Sequence, residues 1–323
     1  KMKNILTGLL PQEIENEALL NFKNQHKVIL QYLKSKGLEN QVSPFLLQSS
    51  EKLSNLWHNG SIFRFLLHHA QDESSIFHDF LNQMKAPYEI QEFKFQNIKI
   101  NVIEHSYLLE YLYKYFKHPD FDKLTNVLYT GFPTVEDRVV WYETLTNALT
   151  LVKDSDELQY QMLESYLDCI SPVYFKLPLV KGNVISFTSD YSIGLIVYSH
   201  CPKILTAETL IHETRHNILF SLMETNPLIK DNSVLVKTPL RDDARPLSGL
   251  FHQAYVLCGL SRFYSKILNI NEYGNMDNVI KRANIQYNDY SFSLKVLSEN
   301  SSFLTESGIQ LLEMMLDDLK IYK

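Results

Sequence analysis

The sequence predicts a mainly helical α+β protein with short β-hairpins, in which a helical N-terminal half packs on a C-terminal half that carries the chemistry. Two observations predict this class. The 323 residues include only 10 glycines and 11 prolines, which is few for an all-β protein because every hairpin needs turn residues. Apolar residues also recur at helical spacing over long segments, whereas the alternating segments are short.

The N-terminal half is predicted to hold helices and one hairpin. The first predicted helices cover residues 11–36, 61–70, 72–86 and 107–118. Between the last two, "YEIQEFKFQNIKINVIEHS" alternates apolar and polar residues around Gln96-Asn97, which predicts a hairpin. A helix with Thr134 as N-cap follows, and the segment 155–170 predicts another helix.

The C-terminal half is predicted to begin with a second hairpin, formed by "VISFT" and "IGLIVYS". A helix then begins at Thr206 as N-cap and ends before Asn226-Pro227. A polar loop is expected up to Gly249, followed by helices at 250–268 and 304–322. We divide the chain near residue 175, into a region 1–175 that is a candidate for peptide binding and a catalytic region 176–323. The two regions could also form one domain.

Charge and cysteine content exclude several classes of protein. The net charge of −6 gives no general attraction to nucleic acid or to acidic membranes. No apolar run reaches ~18 residues, and the start lacks the features of a signal peptide. The cysteines Cys169, Cys201 and Cys258 form no CxxC pair, which is typical of reduced thiols. We expect a cytoplasmic protein without a nucleic-acid or membrane partner.

The segment "TLIHETRHNILF" carries an HExxH motif. Residues four apart lie on one face of a helix, so His212 and His216 can share one metal ion. Glu213 lies about 100° round the helix from His212, where it can reach the ion or a bound water. The alternative is a helix whose histidines only pack or face solvent. Arg215 and Asn217 are expected to mark the solvent side, and the apolar residues on either side of the motif the core side.

A third ligand is needed, because two imidazoles rarely hold a metal alone. His252 is the first candidate, 36 residues after His216 near the start of the next helix. Its rivals are Asp242, Asp243 and Glu213, since one carboxylate would complete the two-histidine, one-carboxylate set of non-haem iron sites. Glu213 is otherwise a hydrogen-bond acceptor or a catalytic base. His200 and the pair His68-His69 have no motif and are expected to be surface or packing residues.

The loop before His252 places two arginines near the predicted metal. The planar guanidinium groups of Arg241 and Arg245 match carboxylates, which suggests an anionic small molecule beside the ion. The alternative is ion pairing of these arginines with Asp242 and Asp243, or with Glu213. Ser248 is expected to cap the following helix.

These residues resemble the HExxH-type peptide-modifying proteins of bacterial gene clusters for ribosomally made peptides. That family shows E-x-L-x-H-E-x-x-H and then P-x-R-x-D-x-R-P-x-x-G-x-x-H-x-x-Y, over about the last third of this chain. The matching residues here are Glu208, Leu210, His212, Glu213, His216, Pro239, Arg241, Asp243, Arg245, Pro246, Gly249, His252 and Tyr255. Leu240 and Ala244 stand where the family often has tryptophan and proline.

The resemblance implies an Fe(II)- and 2-oxoglutarate-dependent dioxygenase that uses O₂ to hydroxylate a β-carbon of a ribosomally synthesised precursor peptide. In this reading His212, His216 and His252 hold the iron, and Glu213 is catalytic. The cosubstrate is held by Arg241, Arg245, Asp243 and Ser248. Two alternatives remain: a zinc metallopeptidase, for which HExxH alone would suffice, and a peptide-binding module without activity. Neutral imidazoles suit Fe(II) and Zn(II) alike.

Overall fold

The structure, a computed structural model, describes most of the chain after residue 88. The described ranges are 89–105, 128–175, 184–188, 194–239, 241–270, 272–273 and 276–322. The four helices predicted over 11–36, 61–70, 72–86 and 107–118 lie outside these residues, and so do His68 and His69.

The described part is mainly helical with small sheets, which agrees with the predicted α+β class. Its strands are β1 (Glu89–Phe95), β2 (Ile98–His105), β3 (Leu128–Thr130), β4 (Cys169–Phe175), β5 (Ser186–Phe187), β6 (Leu195–Ser199), β7 (Leu235–Thr238) and β8 (Arg241–Pro246). Its α-helices are α1 (Val135–Ser155), α2 (Glu157–Tyr166), α3 (Lys203–Thr225), α4 (Leu247–Ile267), α5 (Asp277–Glu299) and α6 (Glu306–Leu319). Within these ranges, no helix is both long and apolar enough to cross a membrane.

The described residues belong to two compact units. The sheet unit contains β1 to β6 and the residues of α1 before Ala148. The helical unit contains Ala148–Ser165 and the described residues from Ala207 onward. The division near residue 175, with one continuous stretch of chain for each region, stays a prediction.

The sheet unit is built on a mixed sheet in the order β1-β2-β4-β6-β5, with β3 paired to the end of β4. Both predicted hairpins are confirmed. β1 and β2 pair antiparallel around Gln96, whose φ of 53° makes the tight turn, and β5 pairs antiparallel with β6. β4 corrects the helix predicted over 155–170: α2 ends at Tyr166, and "CISPVYF" forms a strand between β2 and β6. Pro172 and the β-branched residues of this segment disfavour a helix.

The helical unit contains one helix that the sequence pattern did not predict. α5 buries Val279, Tyr290, Leu294 and Leu297, but it also buries Gln286. Because polar residues share the inward face of α5 with apolar ones, the apolar period is hard to see.

The prediction of a polar loop between α3 and α4 is also wrong, because this segment forms the hairpin β7–β8. The side chains of β7 alternate between exposed and buried, with Val236 and Thr238 inward, as half-buried strands do. β8 then runs directly into α4, which begins at Leu247. The Oδ1 of Asn232 accepts the backbone N–H of Ser248 at 3.3 Å. Ser248 therefore lies inside the helix and does not cap it.

The predicted helix ends are partly confirmed. Thr134 caps α1, since its Oγ1 accepts the N–H of Asp137 at 3.1 Å, and α3 ends at Thr225 as expected. Thr206 is not an N-cap, because α3 begins one turn earlier, after Pro202. The Thr206 hydroxyl instead donates to the carbonyl of Cys201 at 2.9 Å. All three cysteines are buried thiols outside any disulfide.

The chain after α3 is attached to the start of α6 through a close backbone contact. Thr305 donates its N–H to the carbonyl of Leu228 at 3.0 Å and its hydroxyl to the carbonyl of Pro227 at 2.6 Å. Gly308, in the first turn of α6, lies so close that an added Cβ would overlap the Leu228 carbonyl oxygen. A backbone atom cannot move aside as a flexible side chain can.

We therefore expect Gly308→Ala to lower the free energy of unfolding by about 3 kcal/mol or more through steric overlap. Gly249→Ala is the matched control. Its added Cβ would find its nearest neighbour at 4.0 Å, and alanine should stabilise α4 slightly. Urea unfolding followed by circular dichroism measures both variants. Equal stability of the two would contradict the close contact.

Candidate metal centre

Helix α3 is buried on every side except one. Between Thr206 and Met223, the described side chains that are not buried are His212, His216, Phe220 and Met223. At 100° per residue these four fall within about 80° of one another. We call them the open stripe of α3. The motif histidines thus lie on the one face of this helix that a ligand can reach.

The end of α3 before His212 is anchored by a buried carboxylate. Glu208 forms an ion pair with Arg282 of α5 and accepts hydrogen bonds from Tyr264 and from Gln286, the latter at 3.3 Å. Burial, together with the nearby Glu208 carboxylate, raises the pKa of Tyr264, which keeps its hydroxyl a donor. Glu208, which belongs to the E-x-L-x-H-E-x-x-H motif, therefore links α3 to α4 and α5 through hydrogen bonds to its carboxylate.

Arg215 and Asn217 do not mark a solvent side, contrary to expectation, because they are 1% and 0% exposed. The Arg215 guanidinium lies 5.1 Å from the ring centroid of Tyr255, and its Nη2 donates to Gln159 Oε1 at 3.4 Å. A Cβ added to Gly259 would lie 2.6 Å from the Nε of Arg215. The glycine of α4 therefore makes room for a buried arginine, which the polarity of the residue alone does not indicate.

Helix α4 brings His252 to the histidines of α3. His252 is half-buried, on the face of the first α4 turns that also carries Ser248, Gly249 and Gln253. From Ala254 to Ser261 every side chain of α4 is buried. The middle of α4 is therefore enclosed, and His252 lies in the accessible first turns that precede it.

The three imidazoles lie in contact. The Nε2 atoms of His212 and His216 are 3.3 Å apart, and the Nδ1 atoms of His216 and His252 are 3.4 Å apart. The corresponding ring centroids are separated by 4.9 Å and 5.7 Å. The structure thus brings together the three residues that the sequence singled out as ligands.

Burial keeps the rings of His216 and His252 neutral. The pKa of His216 lies well below its ordinary value, mainly because the ring is buried and also because His212 and His252 are close to it. Desolvation lowers the pKa of His252 to about 4. Neutral imidazole is the form that binds metal ions, so at neutral pH no proton has to be displaced from either ring.

The donor set fits a divalent transition metal, although the rings do not present one nitrogen each to a single point. Two imidazoles that bind one ion at ~2.1 Å have nitrogens ~3.0–3.4 Å apart, which the Nε2 atoms of His212 and His216 satisfy. His216 faces His252 through its other nitrogen, Nδ1. Accordingly, no group of three His, Cys, Asp or Glu residues among the described ones has metal-site geometry as the side chains stand. A reorientation of the His252 ring would be needed to complete the set.

The rival third ligands are placed differently. Glu213 is almost fully buried, with 4% of its side chain exposed, and its Oε1 lies 4.0 Å from Nε2 of His212. Asp243 is 62% exposed and lies 3.0 Å from Nε of Arg245. The side chains of Arg241 and Asp242 are outside the described part. Glu213 is thus near the histidines but directed into the protein, and Asp243 is engaged with an arginine.

The residues predicted to hold a cosubstrate stand at the start of α4. Arg245 is the last residue but one of β8, the strand that leads into the helix, and the alternative pairing with Asp243 is present. The Arg245 Nε does not meet hydrogen-bond geometry, however, and is buried without an acceptor among the described residues. The Cβ of Arg245 faces Gly249, which lies three residues before His252. Because 40% of the Arg245 side chain is exposed, this arginine is accessible to a second anion besides Asp243.

Phe220 is a site residue that the sequence reasoning missed. It belongs to the open stripe, and its ring centroid lies 6.1 Å from that of His216 and 4.8 Å from that of His252. The signal was present, because position 220 follows His216 at the same spacing of four that joins the two motif histidines.

We expect alanine substitution of His212, His216 or His252 to weaken binding of Zn(II) or Fe(II) by more than about 100-fold, since loss of a ligand exceeds the ~10–100-fold cost of losing a residue that supports one. The measurement is metal competition with a chromophoric chelator. His200→Ala is the control, because His200 is exposed and stacks on Tyr174 in the sheet unit. Full affinity in His252→Ala would eliminate His252 as the third ligand.

Comparison with known proteins adds no family to this picture. No family model matches the chain, and a search among curated proteins finds no significant match. The resemblance in the two motifs stays a prediction, and the function has to be inferred from the residues of the site.

Proposed function

We propose that this protein is an Fe(II)- and 2-oxoglutarate-dependent dioxygenase that hydroxylates a β-carbon in a ribosomally synthesised precursor peptide. The observation that carries the proposal is the contact of His212, His216 and His252 where the exposed faces of α3 and α4 meet. A half-buried arginine, Arg245, lies just before the start of α4, the helix that carries His252. A peptidase has no need for that arginine, whereas an anionic cosubstrate does.

In this proposal the three imidazoles would hold Fe(II), and the bound ion, together with 2-oxoglutarate and O₂, would supply the oxidation of a C–H bond. The reaction balances as peptide, 2-oxoglutarate and O₂ giving hydroxylated peptide, succinate and CO₂. The chain's own residues bind and orient. Arg245 or Arg241 grips the distal carboxylate of the cosubstrate in bidentate fashion. Asp243 holds Arg245, and the Ser248 hydroxyl donates to the cosubstrate.

Glu213 is proposed to act on protons close to His212. Its carboxylate lies 4.0 Å from Nε2 of that histidine and is withdrawn from solvent. A carboxylate in that position can accept a hydrogen bond from a water near the metal. The peptide itself is assigned to the N-terminal region, where a helical half is proposed to pack on the metal helix and help to bind the precursor.

The decisive experiment gives the anaerobic protein Fe(II), 2-oxoglutarate and the peptide encoded next to it, and then admits isotopically labelled O₂. We expect succinate and a peptide heavier by one labelled oxygen in equal amounts, and neither product from His252→Ala. Two shorter peptides formed with Zn(II) and without O₂ would instead establish the metallopeptidase. Succinate without any oxidised peptide would contradict the proposed substrate.

The role of Arg245 can be tested separately. Arg245→Gln should raise the KM for 2-oxoglutarate by about 10-fold or more and change kcat less, because a charge-assisted contact to the bound cosubstrate is lost. Lys237→Gln, an exposed cation on the paired strand β7, should leave the KM unchanged. An unchanged KM in Arg245→Gln with a raised KM in Arg241→Gln would assign the grip to Arg241.

A further inference from the structure

Phe220 contacts two of the three histidines from the open side of the site. It lies on the open stripe of α3, one turn beyond His216, and its ring is inclined by 24° to the ring of His216 and by 47° to the ring of His252. Its centroid is nearer to His252, at 4.8 Å, than to His216, at 6.1 Å. One aromatic ring of α3 therefore touches histidines on both helices.

Aromatic contacts bear on the plane of the His252 ring. Among the described residues, the aromatic rings that contact it are those of His216 and Phe220. Gly249, one turn before it on the same face, offers no side chain. To reach an ion held by the Nε2 atoms of His212 and His216, the His252 ring has to turn away from its contact with His216. Packing of the ring against Phe220 limits the orientations that it can then take.

We propose that Phe220 is a positioning residue that orients the His252 imidazole, and with it the nitrogen that His252 offers to the metal. The inference rests on the metal centre of the proposed function and adds to it a residue that neither binds the ion nor reacts. Phe220 acts through His252 because that is its closest ring contact. An aliphatic side chain of similar size fills the space but cannot present a flat face to the imidazole.

The test is a Co(II) titration of the full chain, followed by visible absorption, in wild type, Phe220→Leu and Phe220→Tyr. We expect Phe220→Leu to bind Co(II) about 10-fold more weakly, as the loss of a residue supporting a ligand typically does, and with a changed absorption spectrum. Phe220→Tyr keeps the ring and should restore both the affinity and the spectrum. Phe263→Leu is the control: Phe263 is a fully buried residue of α4 whose ring contacts Tyr264. It should lower thermal stability and leave Co(II) binding as in wild type.

A double substitution separates positioning from a general structural role. If Phe220 acts through His252, Phe220→Leu has no further effect on Co(II) affinity in a His252→Ala background, whereas independent effects would add. Additive losses, or wild-type affinity and spectrum in Phe220→Leu alone, would overturn the inference while leaving the metal centre intact. Absence of Co(II) binding by the wild-type chain would overturn the metal centre, and the inference with it.

Discussion

The enclosure of α3 is the constraint on which the rest of the site depends. A helix that is buried on nearly all sides cannot rotate or shift without disturbing several packed surfaces at once. Its open stripe is about 80° wide and begins with His212 and His216. The two imidazoles are therefore held in place by the fold, with their Nε2 atoms 3.3 Å apart, and their spacing does not have to be created by an ion.

Enclosing this helix requires polar groups to be buried, and those groups also set the register between helices. The lone pairs of Glu208 are occupied by donors from α4 and α5. Arg215 lies across Gly259, and the carbonyl of Gly259 in turn accepts a hydrogen bond from Gln159 at 2.8 Å. Arg215 precedes His216 in the sequence, and Gly259 lies two turns after His252. The contact of Arg215 with Gly259, which lies two turns along the same face of α4 as His252, thus helps to set how the histidines of the two helices meet.

Sequence patterns predicted the closeness of the three histidines better than they predicted the burial and the strands around them. Spacing of four along a helix is a local property, so the pairing of His212 and His216 follows from the motif alone. The position of His252 was predicted from the motif that surrounds it, since the contact depends on how α4 packs on α3. Polarity was a poor guide to burial, as Arg215 shows: whether a charged side chain faces solvent depends on whether another helix supplies a glycine and an aromatic ring to receive it. Hairpin β7–β8 was missed because its short alternation lies among polar residues.

The middle histidine limits how the site can take up a metal. A neutral imidazole has one N–H donor and one lone pair, so His216 can donate to one neighbour and accept from the other. Its two nitrogens face His212 and His252, which makes the three rings a directional chain of N–H···N contacts. An ion bound to the Nε2 atoms of His212 and His216 would replace the first contact, and His252 could join only by leaving the second. The site is therefore open to a metal on the α3 side first, and the orientation of His252 decides whether a pair of ligands becomes three.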